Sequence, residues 1–261
     1  MLLTQFDPNP HAVFDPGMVF KPIPDFPETV VSVFSHQLYQ AILNYLGGTK
    51  IAETHDVDGV WPVYEVTYNG RRFAFYKGRL GASACVSCFE DLIAFGGKRI
   101  ILLGNCGVLD RAIKDCGIIV PTAAIRDEGT SYHYAPAADF IEVNKKYRED
   151  FYAVLEQFHY TYTEGITWTT DGFFRETENK VAARKAMGAI AVEMECAAMQ
   201  ALCDFRGVEF FQFLYAGDNL DGTAWDPRSV HGSVRLDHKS KIALLAFELA
   251  CRIEEKEESE T

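Results

Sequence analysis

Short apolar runs alternate along the chain with stretches whose apolar residues fall at helical spacing. Val30-Val31-Ser32-Val33-Phe34, Ile100-Ile101-Leu102-Leu103, Ile118-Ile119-Val120-Pro121 and Phe210–Ala216 each predict a buried strand, being β-branched or aromatic and short. Val63–Tyr68 and Phe73–Tyr76 flank Asn69-Gly70, a dipeptide that favours the type I′ turn and so predicts a hairpin. Ser35 is placed to cap a helix from His36 to about Leu46, stopped by Gly47-Gly48. Further helices are expected over Ser83–Phe95, Asn144–Phe158, from Val181 to Met187, over Glu195–Phe205 and over Lys239–Glu255. Tyr160–Thr170 and Ala191–Met194 read as strands. This alternation predicts an α/β class with a mostly parallel sheet covered on both faces, where ligands sit beyond the carboxyl ends of strands.

Composition adds limits. The chain has 261 residues, enough for one α/β domain over 1–261, and its 48% hydrophobic and 24% charged residues are ordinary globular values. A formal charge of -12 argues against broad contact with nucleic acid or an anionic membrane. The proline-bearing stretch within 1–28 reads as an extended arm, and 255–261 as a frayed acidic tail. The first residues lack the basic-then-apolar pattern of a signal peptide, and no run approaches a membrane span. The seven cysteines, odd in number and set in apolar segments, suit a reducing, cytoplasmic compartment. Cys85 and Cys88 form a C-x-x-C, but no second ligand pair accompanies it, so buried small residues are expected.

Polar residues collect just past the apolar runs, at Ser35-His36, Gly78-Arg79-Leu80-Gly81, Gly104-Asn105-Cys106-Gly107 and Gly217-Asp218-Asn219. Val192-Glu193-Met194-Glu195-Cys196-Ala197-Ala198 sets two acids in apolar surroundings, which costs several kcal/mol unless each is hydrogen-bonded. Gly104–Leu109 and Val192–Ala198 resemble the nucleoside phosphorylase and nucleosidase superfamily, with Thr170-Asp171-Gly172-Phe173-Phe174 and Ala216-Gly217-Asp218 in the expected order. The resemblance covers roughly residues 30–250. It implies a three-layer α/β/α sandwich around a mixed, barrel-like sheet, and a homo-oligomer (dimer, trimer or hexamer) with sites near subunit contacts.

The resemblance also implies roles. Cleaving an N-glycosidic bond builds positive charge on the sugar and negative charge on the base. Glu195 would accept hydrogen bonds from two ribose hydroxyls, Met194 would pack beneath the ribose and Phe173 against the base. Glu193, Cys106 and Gly107 would complete the nucleoside contacts, unless Glu193 instead faces solvent or a neighbouring subunit. Asp218 would protonate a purine at N7, which needs a carboxyl whose pKa burial has raised. Arg79, Ser35 and Asn105 would hold inorganic phosphate as co-substrate, with no metal or organic cofactor. Two arginines common in hexameric relatives are missing: one position reads Leu102, the other falls in Ser35-His36-Gln37-Leu38-Tyr39. Water as acceptor, as in the nucleosidases, is therefore a second reading. Uridine is a second choice of base, although Arg175-Glu176-Thr177-Glu178-Asn179-Lys180 lacks the Gln and Arg that read uracil at that spacing. His11 is either an exposed arm residue or one reaching a partner's site, and Arg228 is a candidate charge partner for Asp218. A Rossmann dehydrogenase is disfavoured, since no G-x-G-x-x-G follows a strand.

Overall fold

The computed structural model describes residues 2–222 and 224–260; Met1 and Thr261, at the ends of the expected arm and tail, and Thr223 lie outside them. In chain order the elements are α1 (Pro16–Val19), β1 (Thr29–Val33), α2 (His36–Leu46), β2 (Thr49–Asp56), β3 (Gly59–Tyr68), β4 (Arg71–Lys77), α3 (Ala82–Phe95), β5 (Arg99–Val108) and β6 (Ile118–Asp127). There follow β7 (Phe140–Glu142), α4 (Arg148–Gln157), β8 (Tyr162–Thr170), α5 (Glu178–Ala186), β9 (Ala189–Glu193), α6 (Cys196–Arg206), β10 (Glu209–Asn219) and α7 (Leu236–Glu260).

All strands join one sheet in the order β10-β6-β8-β9-β5-β1-β4-β3-β2, and β10 pairs with β5 as well. That extra pairing closes β5, β10, β6, β8 and β9 into a barrel, from which β1, β4, β3 and β2 extend as a wing. The sheet is mixed rather than mostly parallel. β5–β9 and β10–β6 run antiparallel, whereas β1–β5, β5–β10, β6–β8 and β8–β9 run parallel. The hairpin forms as its sequence dictates: Tyr68 pairs with Arg71, and Asn69 and Gly70 both take positive φ, 48° and 78°.

Two apolar layers flank β1, β4 and β5. Val31, Val33, Ile101 and Leu103 pack with Phe247 and Leu249 of α7 on one side. Val30, Ile100 and Leu102 pack with Phe89, Leu92 and Met199 of α3 and α6 on the other. The odd and even positions of each strand thus serve opposite layers, giving the sandwich its three tiers.

Several boundaries differ from the sequence pattern. Asn144 does not begin a helix: it takes left-handed φ (55°) and its side chain bridges the Pro121 and Gln212 carbonyls and the Gln212 amide. The segments 104–107 and 216–219 are not turns past strand ends but the last residues of β5 and β10, paired from Leu214↔Gly104 to Asp218↔Gly107. The acidic tail is not frayed. α7 runs to Glu260, with Glu258 accepting from Arg71 and Glu257 from Arg99.

Candidate active site

Three neighbouring strand ends bring the predicted acids together. β9 delivers Glu193 and, immediately after it, Glu195; β5 lies between; β10 delivers Asp218 on its far side. Gly107 of β5 faces Val192 on one side and Asp218 on the other, so the two flanking backbones stand about 10 Å apart, two strand spacings. A Cβ at Gly107 would come within 3.2 Å of both Asp218 Oδ1 and Val192 Cγ1, and closer still to Leu220. Only glycine leaves that space open. The β10 register shifts between Ala216 and Asp218, a bulge that re-aims the Asp218 side chain.

The two glutamates divide their work in a way the sequence did not reveal. Glu193 Oε2 accepts from the Glu195 and Cys196 N–H groups (2.7 and 2.6 Å), and Oε1 accepts from the Thr169 and Thr167 hydroxyls (2.6 and 3.3 Å). It is buried, so it faces neither solvent nor a neighbour. With four donors on it, Glu193 fixes the start of α6 against β8. That geometry replaces the expected nucleoside contact with a positioning one. Burial raises its carboxyl pKa, while the bonds from Thr169, Cys196, Glu195 and Thr167 pull the other way.

Glu195 is also buried, and the Gly81 N–H donates to its Oε1 at 2.6 Å. Gly81 has φ 93°, a conformation open to glycine, and this turns its N–H from the β4–α3 loop onto the acid. Burial, then the neighbouring Glu193 charge, push the Glu195 carboxyl up to about 8. Such a group can accept hydroxyl donors that would relieve its desolvation. Met194 beside it is only half-buried.

Asp218 has its pKa raised by burial, with Asp226 adding to the rise; the Trp225 hydrogen bond and Arg228 oppose it. Trp225 Nε1 donates to Asp218 Oδ2 at 2.7 Å. Arg228 acts at a distance, its guanidinium bonding the Ile113 carbonyl and Asp226. Glu176 was missed from sequence. Burial, then the charge of Asp218, push its carboxyl up to about 7. Phe173 and Phe174 stand on the 3-10 turn after β8, 46% and 87% exposed, so neither belongs to the core. Cys106 is buried and donates to the Tyr215 carbonyl; its side chain is on the opposite face from Gly107.

At the ends of β1 and β4 the picture differs. Ser35 caps α2, its Oγ accepting from Leu38 N–H at 3.3 Å, and Gly232 lies directly over it. Phe34, Gly78 and Gly104 meet there, and Asn105 abuts Gly217. Ser35 and Asn105 therefore lie near one another, at the ends of adjacent parallel strands. Arg79 does not join them. Its guanidinium pairs with Asp56 and Asp58 of the β2–β3 hairpin and lies over the Trp61 ring at 5.1 Å. Leu102 is wholly buried between Ser32 and Gln212, so that position offers nothing to the cleft. Tyr39 is buried against Phe75. His11 is exposed on the arm, whose neighbouring Pro10 carbonyl accepts from Arg206. Cys85 and Cys88 are buried, free thiols.

A five-strand barrel with a four-strand wing thus carries these acids at the ends of β9 and β10. The family model of the phosphorylase superfamily matches residues 29–252, and the chain belongs to that superfamily. Among relatives, DeoD-type purine nucleoside phosphorylases of Bacillus mycoides and Bacillus cytotoxicus are each 27% identical over 161 residues, 59% of this chain and 66% of theirs. The match thus spans just under two thirds of those relatives' length. Among solved structures, a Toxoplasma gondii purine nucleoside phosphorylase in complex with immucillin-H superposes with TM-score 0.72, covering 87% of this chain and 91% of its own, at 17% identity. A Vibrio fischeri uridine phosphorylase gives TM-score 0.73 over 89% and 95%, at 20% identity. At these identities the superpositions speak to the fold, which both kinds of enzyme share.

Proposed function

We propose that this protein is a nucleoside phosphorylase that cleaves a purine nucleoside with phosphate, giving free base and ribose 1-phosphate. The observation that carries the reading is the placement of Glu195 and Asp218 on either side of β5, at the ends of strands two spacings apart. In this reading Glu195 grips the ribose hydroxyls and favours positive charge at C1′. Asp218, its carboxyl pKa raised by burial, gives its proton to N7 as the bonding pair moves onto the base. Phosphate attacks C1′ from the side of Ser35 and Asn105. Glu176 offers a further acid to the edge of the base. The name of the DeoD-type relatives supports a purine. The chemistry draws on no metal or organic cofactor.

A second reading, hydrolysis by water, is favoured by one observation: Arg79 is held by Asp56 and Asp58, and Leu102 is core. A panel of inosine, guanosine, adenosine and uridine, assayed with and without phosphate, separates the two. Base release that requires phosphate and yields ribose 1-phosphate supports the first. Equal release in phosphate-free buffer replaces it with the second, and release from no nucleoside sinks both.

We further expect a cytoplasmic homo-oligomer. Seven free, buried cysteines support a reducing compartment. Exposed Val13, Phe14, Met18 and Val19 on the arm support burial against another copy. No helix among the described residues is long and apolar enough to cross a membrane.

A further inference from the structure

We infer that Trp225 is a positioning residue that assigns separate tasks to the two oxygens of Asp218, holding Oδ2 as an acceptor so that Oδ1 carries the transferable proton. This rests on the proposed purine cleavage and adds a residue to it. The geometry is specific. Trp225 lies in the segment after β10, its ring 60% exposed, yet its Nε1 reaches Asp218 Oδ2 at 2.7 Å. An indole N–H only donates, so the oxygen it meets must accept and does not hold the proton toward it. Oδ1 instead lies toward Gly107, 3.2 Å from where a Cβ at that glycine would stand.

The segment bearing Trp225 is anchored on both sides of the ring. Asn219 and Asp226 form an isolated β-bridge, their N–H groups and carbonyls exchanging bonds of 2.9 and 3.1 Å. Farther on, buried Lys239 Nζ donates to the Ser229 and His231 carbonyls, and Ser229 Oγ donates to Asp115. Arg228 and Arg235 take positive φ, 37° and 54°, where the segment bends. These contacts give the indole a fixed base from which to reach Asp218. The chain's other tryptophans are elsewhere: Trp61 beneath Arg79, and Trp168 in the barrel bonded to Asp127.

The proton step then balances simply. As the C1′–N9 bond breaks and its electron pair moves onto the purine, the Oδ1 proton passes to N7. Asp218 is left as a carboxylate, and the Trp225 N–H bond strengthens on it. Trp225 thus favours the product side of the transfer without touching the substrate's reacting atoms. The charged and titratable groups around Asp218 are Arg228 and Asp226 from its own loop, Glu176 from the turn after β8, and Cys106 from β5.

Trp225→Phe keeps a ring and deletes the donor. With a purine nucleoside, kcat should fall about 10-fold, a fraction of what general-acid catalysis supplies. The basic limb of its pH profile should move to higher pH, because the carboxylate has lost a stabilising bond. An N7-methylated purine nucleoside already carries the positive charge that the proton would bring. The ratio of its rate to that of the unmethylated substrate should therefore rise about 10-fold in the variant. Equal loss on both substrates, or an unmoved pH limb, overturns the assignment. A substrate-free measurement separates this from the function itself: carbon-13 titration of the Asp218 carboxyl in wild-type and Trp225→Phe protein. An upward shift of the midpoint supports the role of Trp225 even if every nucleoside fails as substrate. An unchanged midpoint refutes it even if nucleosides are cleaved.

Discussion

The two ends of the cleft treat their charged groups in opposite ways. At the β9–β5–β10 end, the protein buries Glu195 beside Glu193 with backbone donors alone, and Asp218 and Glu176 both have raised carboxyl pKa values. At the β1–β4 end, the one arginine of the loop is spent on Asp56 and Asp58 before any ligand arrives. An under-partnered buried carboxylate is expensive, and such expense marks places where a ligand completes the bonding. A neutralised arginine on an aromatic ring is a structural brace. In the proposed reaction the glycosidic bond would break at the first end, and the acceptor would meet Ser35 and Asn105 at the second.

That contrast can be broken or sharpened by experiment. The largest effect is expected from Asp218→Asn, which cannot give up a proton: kcat on a purine nucleoside should fall about 100- to 1,000-fold with KM nearly unchanged. A loss confined to KM would remove Asp218 from the proton step. Glu195→Gln should cost about 100-fold in kcat/KM, as the carboxyl that would take both ribose hydroxyls is lost. Comparing ribonucleosides with 2′-deoxyribonucleosides reads this directly, and the variant should discriminate less than the wild type does.

Stability carries the third prediction. The Glu195 pKa is raised from 4.5 to about 8, so the folded state binds the proton more tightly than the unfolded chain does. Stability linked to this group is fully present below pH 4.5 and is lost as pH rises toward 8. Glu195→Gln should accordingly be more stable than wild type at pH 8, by about 4 kcal/mol, with the advantage fading toward pH 4.5. Urea unfolding at several pH values measures it, and a pH-independent difference would contradict the buried-charge account. The smallest effect is expected from Arg79→Ala, less than about 3-fold on the phosphate-dependent rate, in line with a surface-side brace. A large loss there would mean that the guanidinium leaves its aspartates to meet the acceptor. Asp56→Asn with Asp58→Asn would then lower the KM for phosphate.

How far the sequence reached differs between the strands and the site. β1, the Asn69-Gly70 hairpin and α3 were legible because each is fixed by local chemistry: β-branched runs, paired left-handed turn residues, glycine at a helix end. β2 went unseen, since Thr49-Lys50-Ile51-Ala52-Glu53-Thr54 is largely polar and is a strand only through pairing with β3. Asn144 read as a helix start, but its amide bonds to residues 23 and 68 positions away outweigh local preference. The ends of β5 and β10 looked like turns for their glycines. They remain strand because each completes the other's ladder across the barrel closure.

The same division runs through the acids. The Val-Glu-Met-Glu run and Asp218 could be singled out from order and spacing, and so could the α/β class, because apolar period and turn residues are written along the chain. Which glutamate meets the Thr169 hydroxyl, which arginine is already paired and which glutamate takes the Gly81 N–H depend on residues tens to more than a hundred positions apart. Those contacts exist only once the barrel closes. Hydrogen bonding and desolvation act across space, and the tertiary structure alone decides what each charge meets.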